Sequence, residues 1–185
     1  MDYLWEGVAE AFRLVASGDR EVFHAVYVSL VCTVSAVTLA AVVAVPYGAW
    51  LGLAKPRGAA LQVFLLRIGM FVPTVVVGLV VFGLVSRRGV LGEADLLYTK
   101  SAIVLGEFLL AFPILGALSH AATKDLPPVV AETPRTLGAG RLRTMVTVLG
   151  EVRTALVAAY LAAYARCFSE LGIAIPVGGN LELKT

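Results

Sequence analysis

Charge is scarce in this sequence: Asp, Glu, Lys and Arg make up 15% of its residues and hydrophobic types 59%. That balance lies outside the range of soluble domains and makes lipid the solvent for most of the chain. The net charge of +2 is too small, and the Lys and Arg residues too dispersed, for a nucleic-acid surface, which gathers them on one face. Cysteine is scarce as well. Cys32 and Cys167 form no CxxC or Cys/His spacing, which excludes a disulfide framework and a metal site, and both read as small buried apolar residues. No G-x-x-x-x-G-K-[ST] loop is present to cradle ATP, so no cofactor is expected. Cys167, His120 and Glu170 share no nucleophile-to-base spacing, which leaves an intramembrane enzyme as an alternative resting on residue type alone and no catalytic residue to name.

The first twenty residues lack a basic start followed by an apolar run, so they do not read as a cleavable signal. They read as a helix capped by Asp2 and ended by Gly18. Its one apolar stripe of Leu4, Trp5, Val8, Phe12 and Val15 lies either on a membrane surface or against the protein itself. From Ala25 to Ala54 no residue is charged, and about thirty residues at 1.5 Å rise exceed the roughly 30 Å hydrocarbon core. This is a first span, with a bend expected at Pro46. A second runs from Ala59 to Ser86, charged only at Arg67, which is expected to snorkel, and interrupted at Pro73. A third runs from Ala102 to about Ala122, with Glu107 turned toward other helices or water. A fourth, Thr154 to Ala165, is broken by Arg166 and Glu170 before LGIAIPVGG resumes. The fold class is therefore all-α, a polytopic transmembrane bundle of about four spans plus an amino-terminal interfacial helix.

Residues 123–153 are too polar to span and too apolar for a loose linker, and are expected to be helical and docked. They carry Lys124, Arg135, Arg141, Arg143 and Arg153; with Lys55 and Arg57 these place this end of the bundle in the cytoplasm by the positive-inside rule, and the amino terminus outside.

Within that segment, AETPRTLGAGRLRTMVTVLGEVR resembles the cytoplasmic coupling loop of ABC-type import permeases, whose pattern is Glu-Ala-Ala, three residues, Gly, then an apolar residue ten further on. Glu132, Gly138 and Val148 fall on that spacing, and Arg141 adds basic surface to it. FVPTVVVGLVVFGLVSRRGVLG, GEFLLAFPIL and ARCFSELGIAIPVGGN are similar, in order and spacing, to the tungstate permease branch and its molybdate and sulfate relatives. Thr133 and Pro134 replace the two alanines, so a helix beginning near Asp125 is expected to kink at Pro134, or a new helix to start there with Thr133 as its cap. Gly150 and Glu151 stand where many relatives have Leu-Pro. The family pattern continues past NLELKT through an outer loop and a last helix, so the sequence reads as a form truncated at the carboxyl end.

The resemblance implies a type I importer permease fold over about residues 22–185 in a multi-pass chain of the inner membrane. It implies a cytoplasmic ABC ATPase subunit docked on residues 123–153, an extracytoplasmic oxyanion-binding protein and a homodimer of the permease. The cargo implied is tungstate, with molybdate or sulfate, or a non-transporting remnant, as alternatives. Arg166 and Glu170, four apart, can pair on one helix face, and by the resemblance they border the translocation path and its gate. An ion pair that only fixes packing is the plainer reading. Gly172, Gly178, Gly179 and Asn180 are expected to turn backbone N–H groups toward a passing anion or to form a simple helix end.

Overall fold

The computed structural model describes residues 20–170 together with Trp5, Gly7, Arg13 and Val177. Within it lie seven α-helices: α1 (Arg20–Ala54), α2 (Ala59–Gly69), α3 (Thr74–Val85), α4 (Lys100–Lys124), α5 (Pro128–Thr136), α6 (Arg141–Glu151) and α7 (Arg153–Phe168). No strand occurs among the described residues. The expected amino-terminal helix falls outside them except at Trp5, Gly7 and Arg13, which are helical and exposed.

Helices α1 and α4 are each long and apolar enough to cross a membrane, and two bent pairs, α2 with α3 and α6 with α7, meet the same test as pairs. The count of up to four spans agrees with the charge gaps, except that the fourth pair takes in α6, which lies in the 123–153 segment that reads from the sequence as too polar to span. Pro46 sits inside α1, and the helix continues past it to Ala54. Pro73 does more. Its ring disfavours helical geometry at Val72 and removes a donor, so the chain closes with the short-range bonds Phe71 N–H to Ile68 O (2.9 Å) and Val72 N–H to Gly69 O (3.4 Å). The second span thereby turns through 101°.

Helix α1 and helix α4 run parallel. Val28 and Cys32 meet Ile103 at one end, and Ala36, Ala40 and Ala44, four residues apart on one face, are fully buried along the middle, the last two packing with Leu110, Ala111, Ile114 and Leu115. Further along, a Cβ on Gly48 would collide with the carbonyl of Gly116, and one on Gly52 with the Thr123 hydroxyl. The two backbones approach closely because these positions lack side chains, which is how helices associate in a solvent as apolar as their own side chains. Helix α7 runs antiparallel beside them through a second small-residue stripe of Ala159, Ala163 and Cys167. Tyr27, Leu39, Val42, Leu61, Leu65 and Phe71 face outward, each more than half exposed, as suits lipid and not water.

Lys55, at the end of α1, and Lys124, at the end of α4, line one cavity together, so these basic termini share one end of the bundle; Leu53 and Ala54 meet Arg135 and Arg141 there too. The Ser86 to Thr99 connection lies at the other end, where Tyr98 N–H donates to Val177 O (3.1 Å).

Candidate functional site

Two groups of residues singled out from the sequence come together in space. The first is at the basic end, where α5 and α6 form a short helical hairpin. Helix α5 begins at Pro128 with Pro127 before it, and Asp125 closes α4. It then runs through Thr133 and Pro134 to Thr136, so no new helix starts at Pro134 with Thr133 as its cap. A start at Pro128 leaves Pro134 near the end of a nine-residue helix, where its missing N–H deprives only the Val130 carbonyl.

The hairpin turn is set by Gly138, at φ +82°. Gly138 N–H donates to Arg135 O (3.0 Å) and Ala139 N–H to Pro134 O (2.8 Å). This crossed pair is the Schellman arrangement, which needs a left-handed residue at the Gly138 position. Beyond the adjacent residues, no atom of the described residues lies within 4 Å of where a Gly138 Cβ would be, so the demand there is one of backbone conformation. Glu132, Arg141 and Gly138 are exposed. Glu132 lines a small cavity with Lys55, Lys124 and Arg135. Val148 is different: it is fully buried, and with Thr144 one turn earlier it forms the inner face of α6, while Leu142 and Val146 stand 79% and 62% exposed on the outer side. The pattern residue Val148 therefore fastens the hairpin to the bundle, and the free apolar surface belongs to Leu137, Leu142, Val146 and Val129.

The second group lies where the broken second span meets the end of α7. Arg166 and Glu170 form the expected ion pair at i, i+4, with side chains 41% and 15% exposed. Glu170 also accepts a hydrogen bond from the hydroxyl of Thr74 at 2.6 Å. Thr74 is the first residue of α3, directly after the Pro73 break, so the carboxylate sits at the amino-terminal, positive end of a helix. One carboxylate thus ties the 101° bend to the last turn of α7.

Deeper in the bundle, Glu107 is buried as expected of a charged residue turned toward its neighbours. It accepts a hydrogen bond from Thr33 (3.3 Å), its backbone oxygen meets the Cys167 thiol (3.6 Å), and its second carboxylate oxygen has no partner among the described residues. Cys32 and Cys167 are both free and buried. Gly172, Gly178, Gly179 and Asn180 lie outside the described residues. Among those described, no group of three His, Cys, Asp or Glu could hold a metal ion.

No protein-family model matches the chain. Curated proteins do. The tungstate uptake system permease protein TupB of Peptoclostridium acidaminophilum is 34% identical over the whole of this chain, which covers 81% of that protein. This chain belongs to the ABC transporter permeases. A second TupB, from Campylobacter jejuni, is 31% identical over the whole chain and 77% of its own length. The molybdenum transport permease ModB of Escherichia coli is 26% identical over 80% of this chain and 70% of its own. The permease is accordingly a multi-pass protein of the cell membrane and a transporter subunit, not an enzyme.

Sequence reasoning missed Thr74 as the partner of Glu170 and the Gly48, Gly52 and Gly116 contacts. Thr74 carried one readable signal, a hydroxyl immediately after a span-breaking proline. The glycine contacts carried a weaker one, the Gly48 to Gly52 spacing of four within an apolar helix.

Proposed function

We propose that this permease moves tungstate inward, driven by a separate ABC ATPase that docks on the α5–α6 hairpin. The observation that carries the cargo is the comparison itself: two tungstate permeases align with the entire chain at 34% and 31% identity, whereas the molybdenum permease aligns with 80% of it at 26%. Docking is supported by Leu137 and Leu142, which are 82% and 79% exposed on a basic hairpin beyond the apolar spans. In this reading residues 22–185 are one transmembrane domain and 123–153 its coupling segment. An oxyanion-binding protein delivers the cargo from the opposite side, and a second copy of the permease completes the path.

Produced with a tungstate-binding protein and ATPase from the same genome, in cells lacking tungstate and molybdate importers, the permease is expected to support ATP-dependent tungstate accumulation. Accumulation of sulfate in place of tungstate would overturn the cargo.

The orientation has its own test. Single cysteines introduced at Thr136 and Ser86 are expected to label from opposite sides, Thr136 from the cytoplasm, and the burial of both native thiols keeps the background low. Labelling of both from one side would reject the assigned topology.

A further inference from the structure

At the basic end a cavity of about 450 Å³ opens between three helices. Helix α1 contributes Leu51 and Lys55 follows directly after its end; α4 contributes His120 and, one turn on, Lys124; α2 contributes Phe64 and Arg67. No acid is among the described lining residues. Three cations gathered around one space repel each other, Glu132 in the neighbouring cavity with Lys55 and Lys124 offsets this only in part, and an anion between them is favoured.

Two of the lining residues bear on the character of this wall. His120 is only 9% exposed, and its Nδ1 atom is buried without a hydrogen-bond partner among the described residues. That nitrogen has no accessible surface, so it does not face the cavity, and His120 contributes only the side of its ring to the wall. Lys55 holds a left-handed backbone, φ 44°, a conformation a lysine adopts uncommonly and one that does not favour its side chain over asparagine or glycine. Lysine there is better explained by its ammonium group than by the turn.

The walls decide what kind of anion fits. Between the cations the surface is apolar, and Arg67 lies about 12 Å along α2 from Ala59, at 1.5 Å per residue, which is a depth where its guanidinium reaches back toward the membrane surface. A free inorganic anion has no use for apolar walls. An amphiphile has. We propose that this cavity binds the phosphate group of an anionic phospholipid from the leaflet at the basic end, with Lys55, Arg67 and Lys124 around the phosphate and the upper acyl chain along Phe64 and Ala60. Basic residues near the surface attract anionic lipid in this way. The site adjoins the coupling hairpin, because Lys55 and Lys124 also line the neighbouring cavity with Glu132 and Arg135, so a bound lipid would brace the surface on which α5 rests.

The test uses the purified full chain in detergent, with lipid adducts counted by native mass spectrometry after addition of phosphatidylglycerol or phosphatidylcholine. The chain is expected to retain phosphatidylglycerol at least about tenfold more tightly than phosphatidylcholine. The double substitution Arg67→Gln with Lys124→Gln should remove most of that preference, on the order of tenfold. Arg87→Gln with Arg88→Gln, at the other end of the bundle, should leave it unchanged. Because the double variant could lose stability, Lys55→Gln, at an exposed turn, serves as a second variant and should weaken the preference by itself. Equal retention of both lipids, or a preference untouched by all three cavity substitutions, overturns the proposal. Displacement of the lipid by millimolar inorganic phosphate or tungstate would assign the cavity to a soluble oxyanion instead and equally overturn it.

Discussion

Gly138→Val is expected to abolish coupled uptake while leaving the permease in the membrane and its bundle folded. At φ +82° a β-branched residue is strained by about 1–3 kcal/mol, and relief requires the residue to leave the left-handed region. Doing so breaks the bonds from Gly138 N–H to Arg135 O and from Ala139 N–H to Pro134 O, which together fix how α5 is angled to α6. The damage is local, because beyond the adjacent residues no atom of the described residues lies within 4 Å of the new Cβ and the glycine is exposed. Uptake should fall at least about tenfold, a step that corresponds to 1.4 kcal/mol. Gly138→Asn separates backbone strain from any other cause, since asparagine tolerates the left-handed region and should retain most of the uptake. The measurement is ATP-dependent uptake beside permease abundance in membranes. Normal uptake by the valine variant would remove the turn from the coupling mechanism, and equal loss in the asparagine variant would show that something other than φ is being read.

That turn was legible because its cause is local. A glycine between two basic, amphipathic stretches announces a helix stop, and the chain needed only neighbouring residues to form it. The spans were legible for a similar reason, as the absence of charge from Ala25 to Ala54 needs no partner to be meaningful. Pro73 announced a break but not its size, since the 101° turn depends on what the two halves pack against: Leu66 and Gly69 on one side meet Gly116 and Pro113 of α4, and Val81 and Val85 on the other meet Ala102. Gly48, two residues past Pro46, is the place where α1 comes against the Gly116 carbonyl, a partner 68 positions away that no local pattern names. Val148 illustrates a different limit. Its place in a spacing pattern marked it as important, yet the pattern is silent on side, and only the packing of α6 shows that it faces inward and leaves the outer surface to Leu142 and Val146.

Glu170→Gln is expected to reduce tungstate uptake more than Arg166→Gln does, because the carboxylate serves two partners and the guanidinium one. Glutamine at 170 can still accept the Thr74 hydroxyl, but it leaves Arg166 without its counter-charge near the end of a membrane helix, and an unpaired cation there is costly. Glutamine at 166 leaves Glu170 at the amino-terminal end of α3, where the helix dipole and Thr74 still favour the negative charge. Thr74→Val removes only the hydroxyl. Hydrogen bonds to charged groups contribute about 1.5–3 kcal/mol, so this change alone should loosen the junction between the Pro73 bend and α7. The decisive comparison is the double variant Arg166→Gln with Glu170→Gln, which carries no unpaired charge. If the pair only fixes helix packing, the double variant should recover both abundance and uptake relative to Glu170→Gln. If the pair borders the path of the anion, abundance should recover while uptake stays low, and Thr74→Val should lower uptake at unchanged abundance. Partial opening of the Arg166 side chain, 41% exposed against 15% for Glu170, favours the second outcome, because a group that only cements helices has no reason to remain accessible on one side. Full recovery of uptake in the double variant would return Arg166 and Glu170 to a purely structural role.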